Sequence, residues 1–398
     1  MSWAGAALAG AALFAVAWGL LHVAPWTDYQ IIDTPVYERY GEAMTAGQVP
    51  YRDFQPEYPP AAIPAFLLPA LGSSGDYRTR FEILMLACGM GIVALVAATL
   101  TRVGLAGREL YAAVALTALA PLALGAVVLT RFDLWPALLT VAALAALAGG
   151  RDRLGLGILG LATAAKLYPA VLLPVALVYA ARRGRENALA ALVAFMGTVF
   201  LCFLPFLLLA PEGVWESIEK QTGRPLQIES LGAALLLAGK QLGLYDPTVV
   251  STFGSQNMAG SLPDQLASVQ TLLQVAAILA VWLAVTRARD PIVGLLGGSA
   301  AAVVAFVAFG KVLSPQFLIW LVPLVPLAVV VSGLGTPLLF VAALVLTQLW
   351  FPTRYWDVVD LGAIGWLVLA RDLVLVALLF VLVRSLLTAR ARAPARSS

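Results

Sequence analysis

Apolar runs about as long as a bilayer is thick recur along this chain, at residues 3–24, 81–101, 110–129, 133–149, 153–165, 168–181, 188–210, 265–286, 291–309, 315–332, 335–351 and 370–386. A spanning helix uses about 20 apolar residues, and inside lipid every backbone polar group must be satisfied within a helix or a closed barrel. The runs are rich in Leu, Ala and Val without period-two alternation, which favours helices over an outer-membrane barrel. The expected fold is therefore all-α: one polytopic transmembrane bundle of about twelve spans over 1–398. A hydrophobic content of 61%, only 12% charged residues and a mean hydropathy of +0.90 exclude a water-soluble globular fold.

The segment 59–71, PPAAIPAFLLPAL, is too short for a span and carries Pro59, Pro60, Pro64 and Pro69, so a kinked, half-inserted helix is expected there. The N-terminus lacks a basic region ahead of its apolar run and reads as a retained first helix. Placing that terminus in the cytoplasm collects thirteen arginines in the short inner loops and at the C-terminal tail, among them Arg182, Arg183, Arg185, Arg390, Arg392 and Arg396. Only Glu109, Asp152, Glu186 and Asp290 oppose them there, as the positive-inside rule requires. A net charge of +3, spread along the chain, gives no reason to expect nucleic-acid binding. Cys88 and Cys202 both lie in apolar runs and suggest neither a disulfide nor a metal site.

Two long outer segments remain, 25–80 and 211–264, and the chemistry is expected between them. Acids and tyrosines cluster in the first, where Asp28, Asp33, Glu38 and Glu42 form either a solvated face or the source of a general base. Asp33 and Tyr37 are four apart and share a face if the stretch is helical. Cations that could meet a phosphate stand at outer span ends, namely Arg131, Lys166, Lys311 and Arg371, with Arg224 in the second long loop. Lys166 separates two half-length apolar runs, so it either faces a polar cavity or snorkels to the interface. Arg371 adjoins Asp372, which makes a structural ion pair the default there. Asp133 suits sugar hydroxyls or a hydrogen bond to Arg131. His22, the single histidine, lies within reach of the acidic loop but has no His or Cys partner for zinc, and interface anchoring is its ordinary role. Trp26, Trp135, Trp215, Trp350 and Trp356 fall near outer boundaries, as an aromatic belt would.

Several blocks occur in a recognisable order: D-x-x-x-Y at 33–37, G-x-x-P-Y-x-D-F-x-x-x-Y-P-P at 47–60, A-K-L-Y-P at 165–169, R-P-L-Q-I-E-S at 224–230 and S-P-Q-F at 314–317. Together they resemble the polyprenol-phosphate-mannose-dependent mannosyltransferases common in actinobacteria, integral-membrane enzymes of the C-type glycosyltransferase fold. The resemblance implies an outward-facing enzyme that moves mannose from a polyprenyl phosphate to a glycolipid or glycan hydroxyl with inversion. It implies Asp33 as the catalytic base, with Asp28 the rival. The candidates for the donor phosphate are Lys166, Arg224, Arg131, Lys311 and Arg371, and those for acceptor or sugar contacts are Asp28, Tyr37, Glu57, Tyr58, Asp133, Glu229 and His22. A lipid-phosphate sugar already carries its leaving group, so a base and cations suffice, and no cofactor or metal is expected. No D-x-D pair, Walker loop or G-x-G-x-x-G stands in a plausible context, which counts against nucleotide-sugar or ATP chemistry. The rivals are the same mechanism with another lipid-linked sugar, such as arabinofuranose, and a transporter or flippase of such donors. The latter would show paired repeats and interrupted helices in both halves.

Overall fold

The computed structural model describes residues 3–23, 25–27, 30–72 and 76–389. Asp28, Arg390, Arg392 and Arg396 lie outside the described residues. Helix α1 (Trp3–Leu20) leads into the first long loop, which holds α2 (Thr34–Thr45) and α3 (Ile63–Ala70). Then come α4 (Tyr77–Arg102) and α5 (Gly107–Leu124), the one-turn α6 (Val127–Thr130), α7 (Leu134–Ala148), α8 (Asp152–Ala165), α9 (Leu173–Ala181) and α10 (Arg185–Leu209). The second long loop holds α11 (Pro211–Thr222), α12 (Leu231–Gln241) and an antiparallel hairpin of β1 (Thr248–Thr252) and β2 (Ser255–Ala259). The chain closes with α13 (Ser261–Arg287), α14 (Pro291–Ala308), α15 (Leu318–Leu327), α16 (Val329–Ser332), α17 (Gly335–Gln348), α18 (Tyr355–Val359) and α19 (Gly365–Thr388). This is an all-α polytopic membrane protein.

Seven helices, α1, α4, α5, α10, α13, α14 and α19, are long and apolar enough to cross a membrane, judged by length and composition. The other five expected runs fall on shorter elements, and the longest of these, α7, has 15 residues. At about 1.5 Å per residue that is about 22 Å, short of the full apolar thickness. Prolines account for two of the interruptions: Pro169 lies in a 3₁₀ turn at Tyr168–Leu172 before α9, and Pro315 opens another at Pro315–Phe317 before α15. The Pro-rich segment is bent as expected, a 3₁₀ turn at Pro60–Ala62 running into α3.

Small residues decide which helices meet. A methyl group on Gly89 of α4 would fall 2.0 Å from the Phe14 ring of α1, so only glycine lets that ring lie against the helix backbone. In α14, whose 294–302 stretch is GLLGGSAAA, 83% of the apolar window is buried, against 6% for α10, rich in Leu and Phe. The first helix is central to the bundle and the second is peripheral. At one end of the bundle Arg182 Nη2 donates to the Ala288 carbonyl at 2.6 Å and Arg183 Nη2 pairs with Asp152 at 2.5 Å. The two long loops meet at the other.

There α11 lies along the first loop, with Gln221 Nε2 donating to the Glu57 carbonyl at 3.0 Å and Gln55 Nε2 to that of Gly213 at 3.0 Å. The hairpin was not foreseen as strand. Its two-residue turn, Phe253–Gly254, has φ of 52° and 65°, as in a type I′ turn, and Thr248, Val249, Val250 and Thr252 supply the β-branched strand. Ile228 N donates to Gln256 O and Met258 N to Leu226 O, so the segment after Arg224 pairs with β2, bridging Gln227 to Asn257.

Candidate functional site

Asp33 precedes α2, and Pro35 in the first turn fixes the backbone where a free N–H would be unused. From there the Tyr37 hydroxyl reaches Asp33 Oδ2 at 3.5 Å, so the four-residue spacing does place both on one face. Tyr37 itself is fully buried, stacked on Phe66 of α3 at 4.7 Å between centroids and edge-on to Phe132 at 5.8 Å. This aromatic nest ties α2 and the half helix to the segment that carries Arg131. Arg131 in turn forms an ion pair with Asp33 Oδ2. Both of these contacts fall on one oxygen of the carboxylate.

Asp33 and Arg131 line a cavity of about 390 Å³ at the end of the bundle where the long loops meet. That volume is within the range of small-molecule sites. Glu57, Tyr58, Lys166, Arg224 and Lys311 line it as well, so seven of the sequence candidates converge on one space from widely separated parts of the chain. Four cations and two carboxylates face it. The apolar share comes from Phe306, Phe317, Trp320 and the turn residue Phe253.

The cations differ in their partners. Lys166 Nζ lies 2.6 Å from Asp133 Oδ1, and that carboxylate is wholly buried. The same oxygen accepts from Trp320 Nε1 at 2.5 Å, so Asp133 bonds to Lys166 and Trp320, and the alternative of a hydrogen bond to Arg131 is not what forms among the described residues. Arg224 donates to Ser255 Oγ at 3.0 Å and to the Phe253 carbonyl at 3.5 Å. Among the described residues it has no carboxylate within ion-pair distance.

The remaining candidates lie off the cavity. His22 Nε2 is 2.9 Å from Glu82 Oε2, an oxygen pair shared with Arg78 at 2.7 Å, and this cluster joins the ends of α1 and α4. Arg371 is fully buried in α19, 2.6 Å from Asp372, and donates Nη2 to the Glu229 carbonyl at 2.7 Å. The default ion pair is therefore present there. Glu229 is buried behind the cavity wall, and burial pushes its carboxyl up to about 7 against the opposing charges of Arg371 and Arg224. Two residues that sequence reasoning did not single out, Trp320 and Gln227, also line the cavity. Gln227 belongs to the R-P-L-Q-I-E-S block, whereas nothing in the spacing marked Trp320. Among the described residues no three His, Cys, Asp or Glu side chains gather as a metal site would require.

A membrane cavity with sugar-compatible carboxylates and cations agrees with one comparison: the model of glycosyltransferase family 87 matches residues 57–315, well over half the chain. The chain belongs to glycosyltransferase family 87. The match takes in Glu57, Tyr58, Arg131, Asp133, Lys166, Arg224, Glu229 and Lys311, while Asp33, Trp320 and Arg371 fall outside it. A comparison with curated proteins returns no match. The protein is thus a membrane glycosyltransferase, acting on a sugar donor and an acceptor.

Proposed function

We propose that this glycosyltransferase moves mannose from a polyprenyl phosphate to a hydroxyl of a glycolipid or glycan, on the extracytoplasmic face, with Asp33 as general base. The observation that carries the reading is the convergence, within one cavity, of the Asp33 carboxylate with the cations Arg131, Arg224 and Lys311. The acceptor proton passes to Asp33 Oδ1 as the acceptor oxygen bonds to C1 of the sugar. The C1–O bond to phosphate breaks on the opposite side, and the electron pair leaves with polyprenyl phosphate, inverting C1. Arg224 and Lys311 would stabilise the charge that develops on the leaving phosphate, an arrangement fixed before reaction. Arg131 orients Asp33, and Glu57 at the rim is placed for acceptor hydroxyls.

The basic turn at Arg182, Arg183 and Arg185 lies at the end of the bundle away from the cavity, and the positive-inside rule puts that end in the cytoplasm. The test is direct. Purified protein supplied with mannosyl polyprenyl phosphate and a membrane glycolipid extract should release free polyprenyl phosphate in step with mannose transfer. A preparation that turns over nucleotide-activated mannose and leaves the lipid-linked sugar untouched would sink the reading.

A further inference from the structure

Lys166 and Arg224 face the same cavity but are held in opposite ways. The Lys166 ammonium lies 2.6 Å from a carboxylate with no exposed surface, so the pair adds little net charge to the cavity. It still offers N–H donors. Rings frame the ammonium: Phe132 at 4.8 Å, Trp320 at 5.1 Å, Tyr58 at 5.6 Å and Phe317 at 5.8 Å, measured to their centroids. Asp133 is itself locked by the Trp320 indole, which stacks on Tyr168 at 4.3 Å and on Phe317 at 4.1 Å. Asp133 therefore cannot leave Lys166 without breaking its bond to the indole of that aromatic wall. Arg224, bonded only to neutral oxygens among the described residues, retains its charge for a ligand.

A phosphate diester calls for net positive charge. A sugar ring, by contrast, is a neutral polyol that is satisfied by fixed donors and acceptors beside an aromatic surface. We infer that Lys166, held by Asp133 and flanked by Tyr58 and Phe317, is the hydroxyl-binding subsite for the donor's sugar, and that the donor's phosphate is taken at Arg224. Asp133 is a positioning residue in this arrangement, acting through Lys166. The inference rests on the lipid-phosphate-sugar reading given above and adds which end of that donor each cation receives.

The experiment measures dissociation constants of purified protein for two probes, a short-chain polyprenyl phosphate and the same lipid phosphate bearing mannose. Wild type should bind the mannosylated probe more tightly. Lys166→Met should weaken the mannosylated probe by about tenfold to a hundredfold, the loss of a charge-assisted hydrogen bond, while binding of the bare phosphate changes less than about twofold. Because Lys166→Met leaves a buried carboxylate without its partner, Asp133→Asn/Lys166→Met, which removes both charges, is measured beside it and should show the same selectivity. Arg224→Met should weaken both probes alike. If the Lys166 variants weaken both probes equally, or neither, or if wild type gains nothing from the sugar, the subsite assignment is overturned. If wild type binds neither probe, the lipid-phosphate donor itself is wrong, a different failure from the one that concerns Lys166.

Discussion

The side chain of Arg371 in α19 donates to the backbone carbonyl of Glu229, 142 residues earlier, at 2.7 Å. With Asp372 at 2.6 Å on its other side, the guanidinium fastens the segment that carries Arg224 and Gln227 to the last long helix. Arg371 itself does not line the cavity, and its contact with that region runs through the loop. Breaking a buried pair by removing one partner typically costs about 3–5 kcal/mol, because the other charge stays buried alone. Arg371→Leu should accordingly lower the free energy of unfolding in detergent by an amount of that order. Arg371→Leu/Asp372→Leu, which removes both charges, should recover most of the loss. An Arg371→Leu protein as stable as wild type would mean that the pair does not anchor the loop.

Glu229 supplies a pH signature of the same region. Its folded carboxyl titrates at about 7, above the ordinary value of 4.5, because burial penalises the charged form. Between those two values the folded state holds a proton that the unfolded state has released. Stability from this group is thus complete below about 4.5 and is lost as pH rises through about 7. Integrated over the window, the difference amounts to at most about 3 kcal/mol. Unfolding measured from pH 5 to pH 8 should therefore decline more steeply for wild type than for Glu229→Gln. Parallel curves for the two proteins would show that Glu229 keeps its charge when folded.

Hydropathy located the seven long apolar helices but could not rank them. Runs 188–210 and 291–309 look equivalent on an apolarity scale, yet α10 faces outward and α14 is enclosed. What separates them is side-chain size, Leu and Phe against Gly, Ala and Ser, because small residues let neighbouring backbones approach. The Asp33–Tyr37 relation was legible since it is local and depends on helix period alone. Lys166 and Asp133 are 33 residues apart, at the end of α8 and the start of α7, so no spacing rule could pair them. The hairpin carried a signal in Thr248, Val249, Val250 and Thr252 followed by Phe253–Gly254, but it lay inside a loop with no alternating apolar face to draw attention.

Sidedness is accessible to labelling. With Cys88 and Cys202 replaced by alanine, single cysteines at Ala46 and Gly223 should react with a membrane-impermeant maleimide on intact cells. One at Ala106, in the exposed turn between α4 and α5, should react only after permeabilisation. Ala46 follows α2 and Gly223 follows α11, the two helices that bring the long loops to the cavity. Reaction at Ala106 in intact cells would place the cavity in the cytoplasm and reverse the orientation drawn from the arginines.

Asp33→Asn isolates the proposed base. The amide keeps the size of the carboxyl group and can still accept from Arg131 and from the Tyr37 hydroxyl, so the aromatic nest around Tyr37 should stay intact. What it lacks is the basic oxygen that would take the acceptor proton. Removal of a general base costs typically about 10²–10⁴ in rate, whereas an ordinary surface substitution changes stability by only about 0.5 kcal/mol. The variant should therefore express, insert and bind the mannosylated lipid phosphate as wild type does, while transfer falls by at least a hundredfold. Asp28→Asn provides the comparison, since it is the other acid of the loop with the same claim from sequence. Loss of transfer in Asp28→Asn with normal transfer in Asp33→Asn would move the base by one acidic position and leave the mechanism standing. Normal turnover in both would remove the first loop from the chemistry and, with it, the proposed route for the acceptor proton.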